Sequence, residues 1–426
     1  MCIRDRTNDV VYGIDLTAGA IAAAPLGADG ALALTGDGQT LLARVGDQAI
    51  LVDLTTSPPS SAPFGSWTLV GPSISPDDQH LYASAKQSGD SGFGSFVLDL
   101  TGNVIAELDQ TMATQQRWAP DSSALAGYSA GYLRVNVIGH ATVADIPIVG
   151  GDVEDVVWAP TSDRFVYVID DDGPEGYRVM LATLSGTSVV TEQLVAAGGY
   201  YDDDFPPSWS PDGSRVVFED DSPGVQAVRI VDVSGAQPSL STIADSSTYR
   251  GALYASSGVL YAPSLFERRW YAPGFPLSAP AVTSPSTQSY LRQRFSDDAQ
   301  WLCLHEGGPY AVLFDMSAFP SSAPFAASAV SPCRFAPSSD YLFASANDAL
   351  IDLRSGSPIR HDLSPLDGPS WAVQTGSTAH VLHVDDNGDV HHQAFDGQSL
   401  GTTTKALDVA PGTDPSWDVY ASSARF

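Results

Sequence analysis

The sequence predicts an all-β protein, a β-propeller of four-stranded antiparallel blades with a repeat of about 40–45 residues. Three observations predict this fold. A short turn motif recurs along the 426 residues, a second apolar strand follows most copies of it, and no stretch keeps the 3.6-residue apolar period of an amphipathic helix. We therefore expect few helices.

The recurrent motif is an aromatic or aliphatic residue, a small residue, often Pro, and a polar turn before an apolar strand. Its clearest copy is WSPDGSRVVF at residues 209–218. Pro and Asp favour a tight turn, and the preceding aromatic needs a neighbouring sheet to be buried. With the fourth residue as anchor, clear copies fall at Asp37, Asp77, Asp121, Thr161, Asp212, Asp298 and Ser338. The gaps are 40, 44, 40, 51, 86 and 40 residues, and weaker copies stand at Ala255 and Ser377.

Most repeats carry a second apolar strand that ends in Asp. Two strands per motif, with extended stretches on both sides, make a four-stranded antiparallel unit. The strands that show this ending finish at Asp15, Asp53, Asp99, Asp232, Asp315 and Asp352.

The two ends of the sequence both fall inside a repeat. Residues 1–6, MCIRDR, look like translated adapter sequence, have no apolar signal-peptide segment and are expected to lie outside the fold. Residues 7–426 then hold about nine full repeats plus half-blades at both ends. Either the half-blades pair in one large ring of about ten blades, or the chain holds one ring and part of a second.

The charge of the chain is strongly negative, at −30, from 43 Asp and 7 Glu against 18 Arg and 2 Lys. Such a chain is repelled by phosphate backbones and anionic membranes, so we expect no nucleic-acid partner. The sequence contains no run of 18 apolar residues, which a membrane-spanning helix would need. We therefore expect no membrane insertion. The Asp excess fits turns, which Asp caps with its short side chain.

Two cysteines, Cys303 and Cys333, remain when Cys2 is set aside, which is too few for a disulfide framework. Two buried free thiols are the favoured interpretation, and a single bridge between them is the alternative.

The motif at residues 209–213 and its weaker copies resemble the TolB-like, WD-repeat-like bacterial propeller family. The resemblance covers nearly the whole chain after residue 6. It implies the propeller fold and a role such as a periplasmic scaffold or the propeller half of a peptidase. The repeats lack a consistent Trp-Asp pair at strand ends, so the resemblance to eukaryotic WD repeats is weaker.

A candidate metal site lies in the hairpin predicted around Asn387-Gly388. A two-residue turn there pairs residue 383 with residue 392 and places His383, His392 and Asp385 on one side. Two imidazoles and a carboxylate suit Zn²⁺ or another divalent ion, although a solvated hairpin explains the histidines more simply. Asp385, Asn387 and Asp389 also imitate a calcium loop, but Val390 occupies its required Gly position. We expect no cofactor apart from this possible ion.

Three other kinds of motif give weaker indications of function. Gly127–Gly131 matches the G-x-S-x-G nucleophile elbow, but a strand follows it where a helix is required, so we expect a hairpin. The acidic runs at 170–172, 202–204 and 219–221 are predicted to be solvated loop tips. Glu267–Trp270 is a small basic spot, either a contact patch or the partner of a nearby Asp.

These features favour a non-catalytic binding or scaffold propeller that works in the periplasm or outside the cell, with a protein or small-molecule ligand. The first alternative is the accessory propeller of a multidomain hydrolase, such as a serine peptidase, and a hydrolase elbow encoded after residue 426 would reveal it. A weaker alternative is a propeller hydrolase or lyase that uses Asp residues around the channel.

Overall fold

The computed structural model describes most of the chain. The described residues are 2–5, 10–15, 22–25, 28, 30–36, 38–56, 59–108, 114–129, 131–140, 144–170, 176–197, 206–222, 225–235, 237–245, 252–255, 258–263, 267–271, 282–285, 290–296, 300–306, 310–316, 325–327, 333–335, 340–344, 349–355, 358–363, 370–375, 378–385, 389–407 and 417–420. They form forty strands in ten four-stranded antiparallel sheets, which we call blades 1–10, and they include no helix.

The first half of the chain supplies five blades. Blade 1 contains β1 (Cys2–Asp5), β2 (Val10–Asp15), β3 (Ala22–Pro25) and β40 (Trp417–Tyr420). Blade 2 contains β4 (Gly30–Leu34), β5 (Thr40–Val45), β6 (Gln48–Asp53) and β7 (Ser60–Pro63). Blade 3 contains β8 (Trp67–Ile74), β9 (His80–Gln87), β10 (Gly94–Asp99) and β11 (Val104–Leu108). Blade 4 contains β12 (Thr114–Trp118), β13 (Ala124–Ser129), β14 (Tyr132–Val137) and β15 (Ala144–Pro147). Blade 5 contains β16 (Asp152–Trp158), β17 (Arg164–Asp170), β18 (Tyr177–Ser185) and β19 (Ser188–Ala197).

The second half supplies the other five. Blade 6 contains β20 (Ser208–Trp209), β21 (Arg215–Ser222), β22 (Val225–Asp232) and β23 (Ser239–Asp245). Blade 7 contains β24 (Leu253–Tyr254), β25 (Leu260–Pro263), β26 (Glu267–Tyr271) and β27 (Val282–Pro285). Blade 8 contains β28 (Tyr290–Phe295), β29 (Trp301–Glu306), β30 (Tyr310–Asp315) and β31 (Phe325–Ala327). Blade 9 contains β32 (Cys333–Phe335), β33 (Tyr341–Ala344), β34 (Ala349–Asp352) and β35 (Ile359–Asp362). Blade 10 contains β36 (Ser370–Thr375), β37 (Thr378–Val384), β38 (Val390–Phe395) and β39 (Thr404–Leu407).

Blade 1 differs from the others in the origin of its strands. In blades 2–10 the strands follow chain order across the sheet, whereas blade 1 has the order β3-β2-β1-β40. Strand β40 pairs with β1, Trp417 lying opposite Asp5, and β1 also pairs with β2. This pairing is the one expected when two half-blades meet in one ring. The division of the chain into domains stays a prediction.

Residues 2–5 are part of a sheet, so the expectation that residues 1–6 lie outside the fold is wrong for these four residues. The physical reason is that a strand pairs through its backbone, so a four-residue segment of unusual composition can still bridge two neighbours.

The connections within a blade alternate between two faces of the molecule, because the strands are antiparallel. The turns from first to second and from third to fourth strand lie on one face, which we call the turn face. The second-to-third hairpins and the links between blades lie on the opposite face, the hairpin face. The predicted motif occupies the turn face, since its aromatic or aliphatic residue ends the first strand at Leu34, Ile74, Trp118, Trp158, Trp209, Phe295 and Phe335.

Three tryptophans that end first strands join their blade to the preceding one. The indole Nε1 of Trp118 donates to the carbonyl of Ser73 at 3.2 Å, that of Trp158 to Arg117 at 2.9 Å and that of Trp209 to Val157 at 3.0 Å. In each pair the acceptor immediately precedes the aromatic or aliphatic residue of the previous motif. The predicted role of these aromatics between blades is confirmed.

Successive turns are also linked directly on the turn face. The amide of Asp77 donates to Ser122 Oγ at 3.0 Å, and the amide of Asp121 donates to Ser162 Oγ at 3.1 Å. Ser122 and Ser162 have φ angles of 64° and 63°, a left-handed conformation that L residues seldom adopt. We call this series the turn relay. It begins where the Gly36 amide donates to Asp78 Oδ1 at 2.6 Å.

Most apolar clusters of the described residues join two neighbouring blades. Trp158 and Phe165 of blade 5 pack with Tyr128 and Leu133 of blade 4. The ring centres of Trp158 and Phe165 are 4.7 Å apart. Similar clusters join blade 2 to 3, 3 to 4, 5 to 6, 6 to 7, 8 to 9 and 9 to 10. At these junctions the sheets bury their apolar faces against one another.

Three of the Asp residues that end third strands cap the turn that follows. Asp53 accepts the amide of Thr55, Asp99 accepts that of Thr101, and Asp232 accepts that of Ser234, each at 2.8–3.0 Å. These bonds are Asx turns, the role that the Asp-rich composition predicts. These carboxylates therefore serve local turn geometry.

Cys303 is buried in β29 and is disulfide-bonded, so the favoured prediction of two free thiols is wrong for this residue. Its strand contacts β32 of blade 9, which begins at Cys333. The side chain of Cys333 lies outside the described residues.

Candidate functional site

The histidine-rich hairpin of blade 10, residues 378–395, is the first candidate site. Its strands β37 and β38 pair Leu382 with His392 and His383 with His391. The loop closes through two bonds, from the amide of Asp389 to Asp385 Oδ1 and from the amide of Asp385 to the Asp389 carbonyl, both at 3.0 Å. Residues 386–388 of the loop, including Asn387 and Gly388, lie outside the described residues.

The predicted pairing of residue 383 with residue 392 is wrong by one position. Asp385 pairs with Asp389, which leaves a three-residue loop instead of the two-residue turn that Asn387-Gly388 predicts. A slip of one residue moves every side chain to the other face of the sheet. His383 and Asp385 therefore share a face with His391, whereas His392 lies on the opposite face with His380.

The first face, which is continuous with the side chains that pack on blade 9, holds a cluster of charged and imidazole groups. His391 Nε2 lies 3.0 Å from Asp385 Oδ2, and Lys405 Nζ lies 2.6 Å from Asp389 Oδ2. The rings of His383 and His391 stack at 4.9 Å with an interplanar angle of 14°. One donor atom from each of Asp385, Asp389 and His391 lies within 4.8 Å of the other two. We call these three residues the acid–imidazole cluster.

The second face holds a buried pair of imidazoles. His380 Nδ1 and His392 Nε2 are 3.0 Å apart, and both rings are almost fully buried. Burial lowers the pKa of His392 to about 4, and the neighbouring His380 adds to this effect; burial also lowers the pKa of His380. Both rings are therefore neutral near pH 7, one donating and one accepting.

The structure thus divides the predicted ligand set. His383 and Asp385 remain neighbours, His392 is removed, and His391 and Asp389 take part instead. The sequence signal for this arrangement was the pair Asp385 and Asp389, which flank residues 386–388. An Asp side chain that accepts the amide four positions later closes a three-residue loop instead of a two-residue turn. The metal site itself stays a prediction.

The secondary structure of two other motifs tests what the sequence predicted for them. Ser129 pairs with Tyr132 and Gly127 with Arg134, so the G-x-S-x-G sequence belongs to a β-hairpin, as predicted. The prediction that residues 219–221 form a solvated loop tip is wrong, because they lie within β21. Asp220 is buried there and pairs with Arg229 Nε at 2.8 Å. Residues 171–172 and 202–204 lie outside the described residues.

The hairpin face of blades 2–5 is the second candidate site. It presents Val45, Phe93, Tyr132 and Val149, whose side chains are 41–75% exposed, from loops and strand ends of successive blades. Lys86 Nζ lies 5.0 Å from the centre of the Phe93 ring, and Arg134 Cζ lies 5.4 Å from that of Tyr132.

A cleft of about 460 Å³ lies between blades 2 and 3 on the same face. Its lining includes Asp47, Gln48, Trp67, Lys86 and Asp90. We call the cleft and the four exposed apolar residues together the hairpin-face surface.

Comparison with known proteins bears on the fold. No protein-family model matches the chain, and no curated protein matches it. Among solved structures, the crystal structure of the eukaryotic initiation factor covers 95% of both chains at 11% identity, with a TM-score of 0.56. The C-terminal WD40 domain of Sif2 is 13% identical over 80% of this chain and 96% of its own, and the Dos1 propeller 12% identical over 75% and 89%, both at a TM-score of 0.44.

The chain is a β-propeller. The ten four-stranded antiparallel sheets of the described residues and the likeness over 95% of the chain confirm the predicted fold class. At these identities the likeness concerns the fold alone. The TolB-like bacterial assignment stays a prediction. Among the described residues of the propeller, no helix is long and apolar enough to cross a membrane.

Proposed function

We propose that this propeller is a non-catalytic protein-recognition module, related to the TolB-like bacterial propellers, that works in the periplasm or outside the cell. The observation that carries the proposal is the hairpin-face surface. Aromatic residues with an adjacent cation are typical of the energetic centres of protein interfaces. Loops on a rigid scaffold are the usual carriers of recognition.

The partner that fits this surface is a protein segment in which Lys or Arg alternates with apolar side chains. The propeller carries a net charge of −30, so a basic partner is attracted over long range and an acidic one is repelled. Asp47 and Asp90 line the cleft and suit a guanidinium or ammonium group. Val45 and Phe93 flank it with apolar area.

The disulfide at Cys303 supports a location outside the cytoplasm, because disulfides persist in oxidising compartments. The acidic, Lys-poor composition agrees with it. Expression of the same chain with and without export to the periplasm tests this part: disulfide formation and solubility are expected only in the exported form. Full solubility and an intact fold with both cysteines reduced would contradict it.

A random peptide library displayed on phage and selected against the purified propeller tests the recognition surface. We expect the selected peptides to combine Lys or Arg with aromatic or aliphatic residues. The double variant Phe93→Ala/Tyr132→Ala should weaken their binding at least about tenfold, because it removes two aromatic contacts.

The chain offers a matched control. Leu240 and Ile359 are 48% and 49% exposed, close to the 46% of Phe93 and 41% of Tyr132, but they lie at the beginning of fourth strands on the turn face. The variant Leu240→Ala/Ile359→Ala should bind the selected peptides as the parent does. Acidic consensus peptides, or equal losses in the two double variants, would contradict the proposed surface.

A further inference from the structure

The acid–imidazole cluster offers a set of ligands that the sequence pattern alone did not assemble. We propose that Asp385, Asp389 and His391 bind a divalent transition-metal ion, which takes the place of the Lys405 ammonium. Two carboxylates and one imidazole from a single hairpin supply the donors that Zn²⁺, Co²⁺ and Mn²⁺ accept. This inference does not depend on the proposed recognition function.

The geometry of the cluster is close to that of a bound ion. Donors at about 2.1 Å from a metal lie roughly 3.0–3.4 Å from one another. The 3.0 Å between His391 Nε2 and Asp385 Oδ2 already meets this condition. The third donor, on Asp389, lies within 4.8 Å of both, so a rotation of its carboxylate brings it into range.

The loop and the neighbouring ring preorganise two of the ligands. The amide of Asp389 holds Asp385 Oδ1 at 3.0 Å, which leaves Oδ2 directed to His391. The ring of His383, 6% exposed, stacks on His391 and restricts its rotation. When a metal occupies His391 Nε2, the proton of the neutral ring resides on Nδ1.

Lys405 is the competing cation. Its ammonium lies 2.6 Å from Asp389 Oδ2, and its side chain is 41% exposed, so it can swing into solvent when a metal arrives. The Asp389 side chain is only 15% exposed, so its carboxylate keeps a favourable cation partner when a metal replaces the ammonium. The metal ion and the ammonium therefore compete for the same carboxylate, and removal of the ammonium should strengthen metal binding.

The opposite face of the same strand supplies the control. His392 is adjacent to His391 in sequence, but its ring is paired with His380 on the other face. A site on the first face depends on His391 and Asp389 and not on His392. Metal binding by the set predicted from sequence, His383, His392 and Asp385, would instead depend on His392 and not on His391.

The experiment uses the tag-free full chain, stripped with EDTA and titrated with ZnCl₂ by calorimetry and with CoCl₂ by visible absorption, in 150 mM salt. The expected result is one saturable site per chain with a Co²⁺ d–d spectrum. His391→Ala and Asp389→Asn should weaken binding at least about tenfold, as loss of one ligand does. Lys405→Met should strengthen it several-fold, and His392→Gln should leave it unchanged.

Circular dichroism confirms the fold of each variant, and His80→Ala, in blade 3, serves as a second control should His392→Gln unfold. The absence of a saturable site in the parent chain would overturn the proposal. Equal weakening by His391→Ala and His392→Gln, or weaker binding in Lys405→Met, would also overturn it. Binding of Ca²⁺ without Zn²⁺ or Co²⁺ would indicate only the acidic surface and would overturn it too.

Discussion

The indole of Trp158 donates a hydrogen bond to the carbonyl of Arg117, 41 residues earlier, at 2.9 Å. The two residues occupy neighbouring positions at the ends of equivalent strands in adjacent blades. The same relation joins Trp118 to Ser73 and Trp209 to Val157. A motif repeated in sequence thus becomes a contact repeated in space.

Substitution of Trp158 by Phe should remove this bond and keep most of the ring packing. The free energy of unfolding is expected to fall by about 1 kcal/mol, the usual worth of one hydrogen bond, and by about 3–5 kcal/mol in Trp158→Ala. Urea unfolding measures both. Tyr132→Phe, on the exposed hairpin face, serves as the control and should be nearly neutral. Equal stability of Trp158→Phe and the parent would contradict the role of the indole.

Ser162 should tolerate Gly better than Ala. Both substitutions remove the acceptor for the Asp121 amide, but Gly relieves the left-handed φ of 63° whereas Ala retains it. We expect Ser162→Ala to be less stable than Ser162→Gly by about 1 kcal/mol. At Ser123, which does not have a positive φ, the order should reverse. Thermal unfolding of the four variants measures this. If the Ala variant is less stable than the Gly variant at both Ser162 and Ser123, backbone strain at Ser162 does not explain the difference.

Acid should destabilise the fold through His392 before it affects the carboxylates. The pKa of His392 is lowered to about 4, so the unfolded chain binds this proton as the pH falls through 6.5 and the folded chain does not. The contribution is fully present above pH 6.5 and decreases towards pH 4, by up to about 3 kcal/mol. Chemical unfolding between pH 7 and 4 measures it.

The variant His392→Gln isolates this contribution, since Gln keeps a polar partner for His380 without titrating. Its unfolding free energy should depend less on pH in the same window. Identical pH slopes in parent and variant would contradict the burial of a neutral imidazole. Asp99 and Asp212, with pKa values lowered to about 2, act only at lower pH, where their turn-capping contribution is lost.

Reduction should lower the thermal midpoint. Removal of a native disulfide typically costs about 2–5 kcal/mol. Because Cys303 is only 1% exposed, complete reduction requires long incubation with the reductant. The variant Cys303→Ser should melt at the lower temperature with or without reductant. A midpoint in the parent chain that does not respond to reduction would show that the bond does not stabilise the fold.

The repeat pattern predicted the fold because its turn chemistry is local. At residues 209–214, Ser210 Oγ donates to Asp212 Oδ1 and the Ser214 amide donates to the same carboxylate, so residue type alone implies the turn. The blade that contains residues 378–395 was also placed correctly from its strand at Val381-Leu382.

The candidate site could not be predicted to the same accuracy. Its composition depends on register, and register depends on whether Asp385 closes a two-residue or a three-residue loop. One position of difference exchanges His392 for His391. The burial of Asp220 was missed for a related reason, since its partner Arg229 lies on the next strand and no local pattern reveals the pair.

Hydrogen exchange in the turn relay tests most directly how the blades are joined. Hydrogen exchange measured by NMR should show the Asp121 amide protected at least about tenfold over an open turn, because it donates to Ser162 Oγ in the next blade. In Ser162→Gly this protection should disappear while that of Asp77, bonded to Ser122, remains. Free exchange at Asp121 in the parent chain, or unchanged protection in the variant, would contradict the account.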